Sequence, residues 1–201
     1  MAIDYTVKAI PTMYRWRLYR SRLEAKWAAF FDALKWTHEY EPLDLNGWSP
    51  DFLISEDESR CWAEVKPITD FDQGIATKME VGLRGLVNGQ TTWRDHLLLL
   101  GTSPVRHPRG GVQLGWWTAL LESKFLQWQE AFLAVAPAAH GGFQPDIVIA
   151  DRTRWLTVLG GQKGKSPEEE LTKYLDCRQD DILCCWNRAS NFVQWLPRDE
   201  T

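Results

Sequence analysis

The stretch Asp51-Phe52-Leu53-Ile54-Ser55-Glu56-Asp57-Glu58-Ser59-Arg60-Cys61-Trp62-Ala63-Glu64-Val65-Lys66 decides how the chain is read. Two largely apolar runs bracket the polar turn Glu56 to Arg60, the pattern of two strands joined as a hairpin. Pro67 ends the second strand, because proline has no N–H to give to a ladder. Just upstream, Asn46-Gly47-Trp48-Ser49-Pro50 is turn chemistry. Before that, the short alternating run Thr37-His38-Glu39-Tyr40-Glu41, closed by Pro42, reads as a first strand.

Working outward, residues 14–36 read as a helix, with Leu23, Trp27, Phe30, Phe31 and Leu34 on one apolar stripe. Arg15, Arg22, Lys26 and Asp32 fall on its opposite face. A second helix is expected from Asp70 to Leu86, with Ile75, Met79 and Leu83 on one side, although Gly82 and Gly85 disfavour it. The run His96-Leu97-Leu98-Leu99-Leu100-Gly101 has the continuous apolar character of a strand buried on both faces. Helix, β-hairpin, helix and central strand in this order give an α/β fold: a mixed sheet flanked by helices.

Beyond Ser103-Pro104 the pattern is weaker. Pro108 to Gly111 reads as a loop, Gln113 to Trp117 as an edge strand, and Thr118 to Ala134 as a helix with Leu121, Phe125, Trp128 and Phe132 in one stripe. Pro145 to Ala150 reads as a strand and Gly160 to Lys165 as a loop. Ser166-Pro167-Glu168-Glu169 has the form of a helix start, and Ile182 to Trp195 is amphipathic at helical spacing. Residues 1–105 are thus expected to form the core, and 106–201 a Trp-rich elaboration of the same domain.

Composition narrows the function classes. The 201 residues are 44% hydrophobic and 25% charged, with a formal net charge of −4. No global basic field is present, so any nucleic-acid site must be a local cluster of Lys and Arg. Twelve tryptophans are expected mostly in packing, each indole N–H needing a partner, with a few on a binding face. No stretch approaches about 18 apolar residues, and the first residues lack an apolar signal region, so a cytoplasmic protein without membrane contact is expected. Cys61, Cys177, Cys184 and Cys185 show no C-x-x-C spacing and read as reduced thiols rather than a zinc site.

The chemistry sits on the hairpin. Glu64 and Lys66 are two apart on a strand and project from one face. Asp51 opens the partner strand, and Glu24 from the first helix can approach the same edge. Clustered carboxylates raise one another's pKa unless a cation lies among them, and oxygen ligands favour Mg²⁺ or Mn²⁺. Such an ion can activate a water against a phosphodiester, and a nearby lysine can orient that water or hold the phosphate.

Pro50-Asp51, twelve intervening residues and Glu64-Val65-Lys66 resemble the signature of the PD-(D/E)XK nuclease superfamily. Tyr19-Arg20-Ser21-Arg22-Leu23-Glu24-Ala25-Lys26-Trp27 resembles the first-helix motif of a small phage- and plasmid-associated branch. The resemblance covers roughly residues 14–105 and implies a restriction-endonuclease-like core. It implies Glu24, Asp51 and Glu64 as metal ligands, helped by the Val65 carbonyl, with Lys66 completing the catalytic set. It further implies DNA as partner, with a homodimer or a larger assembly left open.

Each element also has a plainer reading. Glu24 could be a solvated helix residue, Lys66 a strand-end cap, and Pro-Asp turns are common. The run Tyr14 to Arg22 offers Arg17, Arg20 and Arg22 as phosphate contacts, with Lys78 as a weaker one, or else a solvated face on which arginines stack over aromatics. His38, His96, His107 and His140 show no ligand spacing and read as structural. Three functions follow: a metal-dependent DNA nuclease, a catalytically silent DNA- or protein-binding module, or a nuclease acting on RNA.

Overall fold

The computed structural model describes residues 9–56, 59–86, 94–107, 111–121, 124–137, 143–150, 155–158, 163–164 and 179–193. The chain opens with a small hairpin, β1 (Thr12–Tyr14) and β2 (Arg17–Tyr19), followed by helix α1 (Arg22–Leu34). Next come β3 (His38–Tyr40), β4 (Phe52–Glu56) and β5 (Ser59–Val65), then helix α2 (Gln73–Leu86) and the long strand β6 (Arg94–Arg106). The second half contributes β7 (Val112–Leu121), β8 (Lys124–Phe125), β9 (Gln129–Pro137), β10 (Phe143–Ala150), β11 (Trp155–Thr157) and β12 (Lys163–Gly164). Helix α3 (Gln179–Phe192) is the last described element.

Apart from the opening hairpin, these strands form one mixed sheet in the order β12-β11-β10-β9-β7-β6-β5-β4-β3, with β8 beside β7. The β5/β6 pair is parallel and the remaining pairs are antiparallel. A parallel pair needs a crossover, and α2 supplies it. The leucine run of β6 fits its central place: Leu98 and Leu100 face the core under α1 and α3, while Leu97 and Leu99 face the core under α2. The first core is aromatic, with the Trp27 and Trp186 rings 4.8 Å apart between the two helices. Among the described residues no helix is long and apolar enough to cross a membrane.

The structure corrects three sequence expectations. Residues 14–21 are not helical: Arg15 and Trp16 adopt left-handed backbone, with φ of 45° and 66°, and turn β1 into β2. The helix starts only at Arg22, where the Ser21 hydroxyl accepts the Glu24 N–H and fixes the N-terminus. Gln113 to Trp117 is not an edge strand but part of β7, bonded to β6 on one side and β9 on the other. Thr118 to Ala134 is not a helix but the end of β7, the whole of β8 and most of β9. Its helical spacing joins residues with separate fates. Phe125 and Trp128 pack toward α2, Phe132 meets His107, and Leu121 is exposed. Cross-strand pairing outweighed local propensity there.

The strand expected at Pro145 to Ala150 lies within β10, and the stretch Gly160 to Lys165, expected as a loop, contains the short β12. The helix start expected at Ser166 to Glu169 lies outside the described residues, as do Cys177 and His140. Cys61 is buried in the core, while Cys184 is exposed and Cys185 half-buried on α3.

Among the described residues, six indoles donate to an identified acceptor. Trp27 donates to the Gly101 carbonyl, Trp36 to the Pro145 carbonyl, Trp48 to Glu64, Trp62 to Asp95, Trp117 to His96 and Trp128 to Glu80. Trp16 is the opposite case, 99% exposed at the tip of the first hairpin.

Candidate active site

The β4/β5 hairpin sets the site. Phe52 pairs with Ala63, so one step further along the register places Asp51 across from Glu64. Asp51 is 1% exposed. Its Oδ2 accepts the Val65 backbone N–H at 2.7 Å and lies 3.7 Å from Lys66 Nζ. Its Oδ1 lies 2.6 Å from Arg20 Nη2. Glu64, on the α2 face of β5, receives Lys66 Nζ on Oε1 at 2.5 Å and the Trp48 indole N–H on Oε2 at 2.9 Å. Lys66 also donates from Nζ to the Val65 carbonyl at 3.2 Å, and its backbone N–H bonds the Leu100 carbonyl, which ties the end of β5 to β6.

Glu24 enters from the first turn of α1. Its Oε1 accepts the Ser21 hydroxyl at 2.8 Å and its Oε2 accepts the Tyr40 hydroxyl at 2.5 Å, with Arg20 Nε 4.0 Å away. Ser21 and Glu24 therefore form a variant of the capping box, a serine and a glutamate three residues apart holding the helix start. Tyr40 joins the two motifs, since its hydroxyl also accepts the Arg20 backbone N–H. Arg20 spans the cluster, its Nε 2.6 Å from Glu41 and its Nη2 on Asp51.

Trp48 is held by two backbone devices. Leu45 and Trp48 close a tight turn through Asn46 and Gly47, both at positive φ. On α2, Gly82 lies so close that an added Cβ would sit 2.7 Å from Trp48 Cε3, and one on Gly85 would sit 3.0 Å from Asn46 Cβ. The two glycines that weaken the helix in sequence are the places where α2 seats the turn that orients Glu64.

The electrostatics follow from burial and crowding. Burial first, then the charges of Glu64 and Glu24, push the Asp51 carboxyl up to about 7, against the opposing pull of Lys66 and the Val65 N–H. Burial works to lower the Lys66 pKa, but Asp51 and Glu64 outweigh it and raise it, so the ammonium stays charged. Arg20 is raised in the same way, with Asp51 the chief opponent of burial. Burial and the hydrogen bond to Glu24 raise the Tyr40 phenol, which keeps its proton as a donor.

The structure thus brings Glu24, Asp51, Glu64 and Lys66 together and adds Arg20 to them. Arg22 is directed elsewhere, donating from Nε to the Val193 carbonyl beyond α3. Arg17 and Lys78 are exposed on β2 and α2. Sequence reasoning missed Tyr40 and Trp48 as holders of the carboxylates, and Arg20 as the partner of Asp51. The Ser21-x-x-Glu24 capping pattern was a signal for the helix start.

All six carboxylate oxygens of Glu24, Asp51 and Glu64 have a donor or cation beside them. Among the described residues no group of three or more His, Cys, Asp and Glu side chains forms a ready metal cage. The donor set is nonetheless hard oxygen, and three carboxylates share Lys66 and Arg20, with Glu41 also drawing on Arg20. No protein-family model, curated protein or solved structure matches the chain.

Proposed function

We propose that the chain is a metal-dependent nuclease of the PD-(D/E)XK type, cutting phosphodiester bonds of DNA. The observation that carries this reading is the meeting of two buried carboxylates, Asp51 and Glu64, on Lys66 at the end of the β4/β5 hairpin, with the buried Glu24 linked to Asp51 through Arg20. The element order supports a restriction-endonuclease-like core: α1, an antiparallel β3–β5 unit, α2, then β6 parallel to β5. Asp51, Glu64, Glu24 and the Val65 carbonyl would hold Mg²⁺ or Mn²⁺, the cations that suit an oxygen donor set. A bound ion supplies water activation and charge neutralisation.

The remaining work falls to the chain's own groups. Lys66, charged and poised between Asp51 and Glu64, offers Nζ to a scissile phosphate or to the attacking water. Trp48 fixes the rotamer of Glu64, and Tyr40 with Ser21 fixes that of Glu24. Arg20, with its side chain 55% exposed, is the removable partner of Asp51: released, its guanidinium reaches for a phosphate in the bidentate manner that suits it.

Incubation with plasmid, oligonucleotide DNA and RNA in Mg²⁺, Mn²⁺ or EDTA tests the reading. DNA cleavage that needs the metal and disappears in Asp51→Asn and Lys66→Ala is the expected result. Cleavage in EDTA, or full activity in either variant, overturns it.

A second reading is favoured by the partners already present on all six carboxylate oxygens. A catalytically silent module would use the same network as a structural ion cluster and bind DNA or a protein through its surface. It predicts binding that survives Asp51→Asn, with no turnover under any metal.

A further inference from the structure

The hairpin ahead of α1 is built unlike a structural turn. A two-residue turn with both residues left-handed favours Asn-Gly, yet Arg15 and Trp16 occupy it. A left-handed residue with a side chain costs about 1 kcal/mol or more. Its tip is an indole in full solvent contact, and Met13 and Leu18, paired across the strands, are exposed beside it. The other face is firmly anchored. Tyr14 donates to Asp32 at 2.9 Å, Arg15 lies 3.0 Å from the same carboxylate, and the buried Tyr19 packs 4.5 Å from Tyr40, the holder of Glu24.

A rigid, strained turn that holds an aromatic ring out in water is suited to an external flat partner. Arg15 and Arg17 flank the ring, and no acidic residue occurs between Tyr14 and Leu23 in a chain of net charge −4. Ring plus flanking guanidinium is the combination that stacks a base while neutralising its phosphates. The hairpin also leads directly into the site. Trp16 and Arg20 are four residues apart, at most about 14 Å of chain or about four stacked base steps.

We propose that the β1/β2 hairpin is a base-stacking wedge, selecting DNA with unpaired bases next to the cut site. Trp16 stacks on an unstacked base at a fork, bubble or single strand, and Arg17 contacts the adjoining phosphate. The inference deepens the nuclease reading and rests on it for the position of the cut.

The test is binding of the full-length protein, in EDTA so that nothing is cut, to three fluorescein-labelled DNAs: a blunt duplex, a forked duplex and a single strand. Wild type should favour the fork and the single strand. Trp16→Ala should weaken both by roughly tenfold, the scale of one lost base–aromatic stack, and leave the blunt duplex nearly unchanged. Trp16→Phe should keep most of the preference. Arg17→Ala should weaken all three DNAs alike and reduce the salt slope by about one unit. Trp16 is solvent-exposed, so an unchanged melting temperature certifies the variant's fold.

Equal binding of fork and blunt duplex by wild type, or unchanged binding by Trp16→Ala, overturns the proposal. So does a change of oligomeric state in Trp16→Ala with DNA binding intact, which would make the hairpin a contact between protein chains. Loss of the fork preference in Trp16→Ala, with no cleavage by any form, sustains the wedge and refutes the nuclease. Cleavage abolished by Asp51→Asn, with Trp16→Ala binding like wild type, refutes the wedge alone.

Discussion

Two buried aspartates sit at opposite ends of the β5/β6 pair, and they are built from the same parts. Asp95 receives Arg60 through two bonds, 2.9 and 2.8 Å, and the Trp62 indole N–H at 2.9 Å. Asp51 also meets an arginine, while its neighbour Glu64 takes the indole of Trp48. Arg60, Trp62, Glu64 and Lys66 alternate along the chain, so one face of β5 serves both ends. The difference lies in the carboxylates around Asp51. At Asp95 the carboxylate receives the Arg60 guanidinium in fork geometry. At Asp51 burial, and then the charges of two further carboxylates, Glu64 and Glu24, raise the pKa to about 7. Burial together with like charge around it singles out Asp51 as the candidate of the two.

The largest effect separates the two ends. Asp95→Asn should cost about 3 kcal/mol, because it removes the buried charged acceptor of the Arg60 fork and of the Trp62 indole. Asp51→Asn should raise the melting temperature at pH 8, because it removes a charge the site disfavours, and should abolish cleavage. Thermal unfolding of both variants checks this. Destabilisation by Asp51→Asn equal to that of Asp95→Asn would erase the distinction.

The pH dependence follows from the same contrast. Asp51 titrates near 4 in an unfolded chain and at about 7 when folded, so the folded state holds the proton more tightly. Its stabilising contribution is complete below about pH 4 and is lost as pH rises to about 7. Melting temperatures of the metal-free protein should fall across that window. Asp51→Asn should flatten the fall, and Mg²⁺ should offset it.

Gly82→Ala tests the positioning of Glu64. Alanine favours the helix by about 1 kcal/mol, yet its Cβ would press on Trp48, and overpacking costs about 1–3 kcal/mol. A net loss of stability with a further loss of cleavage is expected. The smallest effect is Ser21→Ala, about 1 kcal/mol of lost helix capping, read by chemical denaturation.

How legible this was depended on whether local pattern and tertiary structure agreed. The hairpin from Asp51 to Lys66 and the central leucine strand were legible, because period-two alternation and continuous burial each leave a direct mark. Asp51, Glu64 and Lys66 could be grouped for the same reason, whereas Glu24 joined them mainly through the resemblance of Tyr19 to Trp27 to a first-helix motif. Arg20, Tyr40 and Trp48 could not, since their contacts depend on how α1, β3 and the Leu45–Trp48 turn approach β5. Between Tyr14 and Ser21 aromatic and basic residues fit a helical face as well as a hairpin, and only the left-handed pair at Arg15 and Trp16 decides. From Thr118 to Ala134 the helical spacing was accidental, overridden by pairing with β7.

The most direct measurement is Mn²⁺ binding to the purified protein at pH 8, followed by electron paramagnetic resonance or calorimetry. Wild type and Asp95→Asn should bind the ion, and Asp51→Asn and Glu64→Gln should lose it. No binding by wild type, or binding unchanged in Asp51→Asn, would contradict the claim that this unbalanced carboxylate cluster is a divalent-cation site.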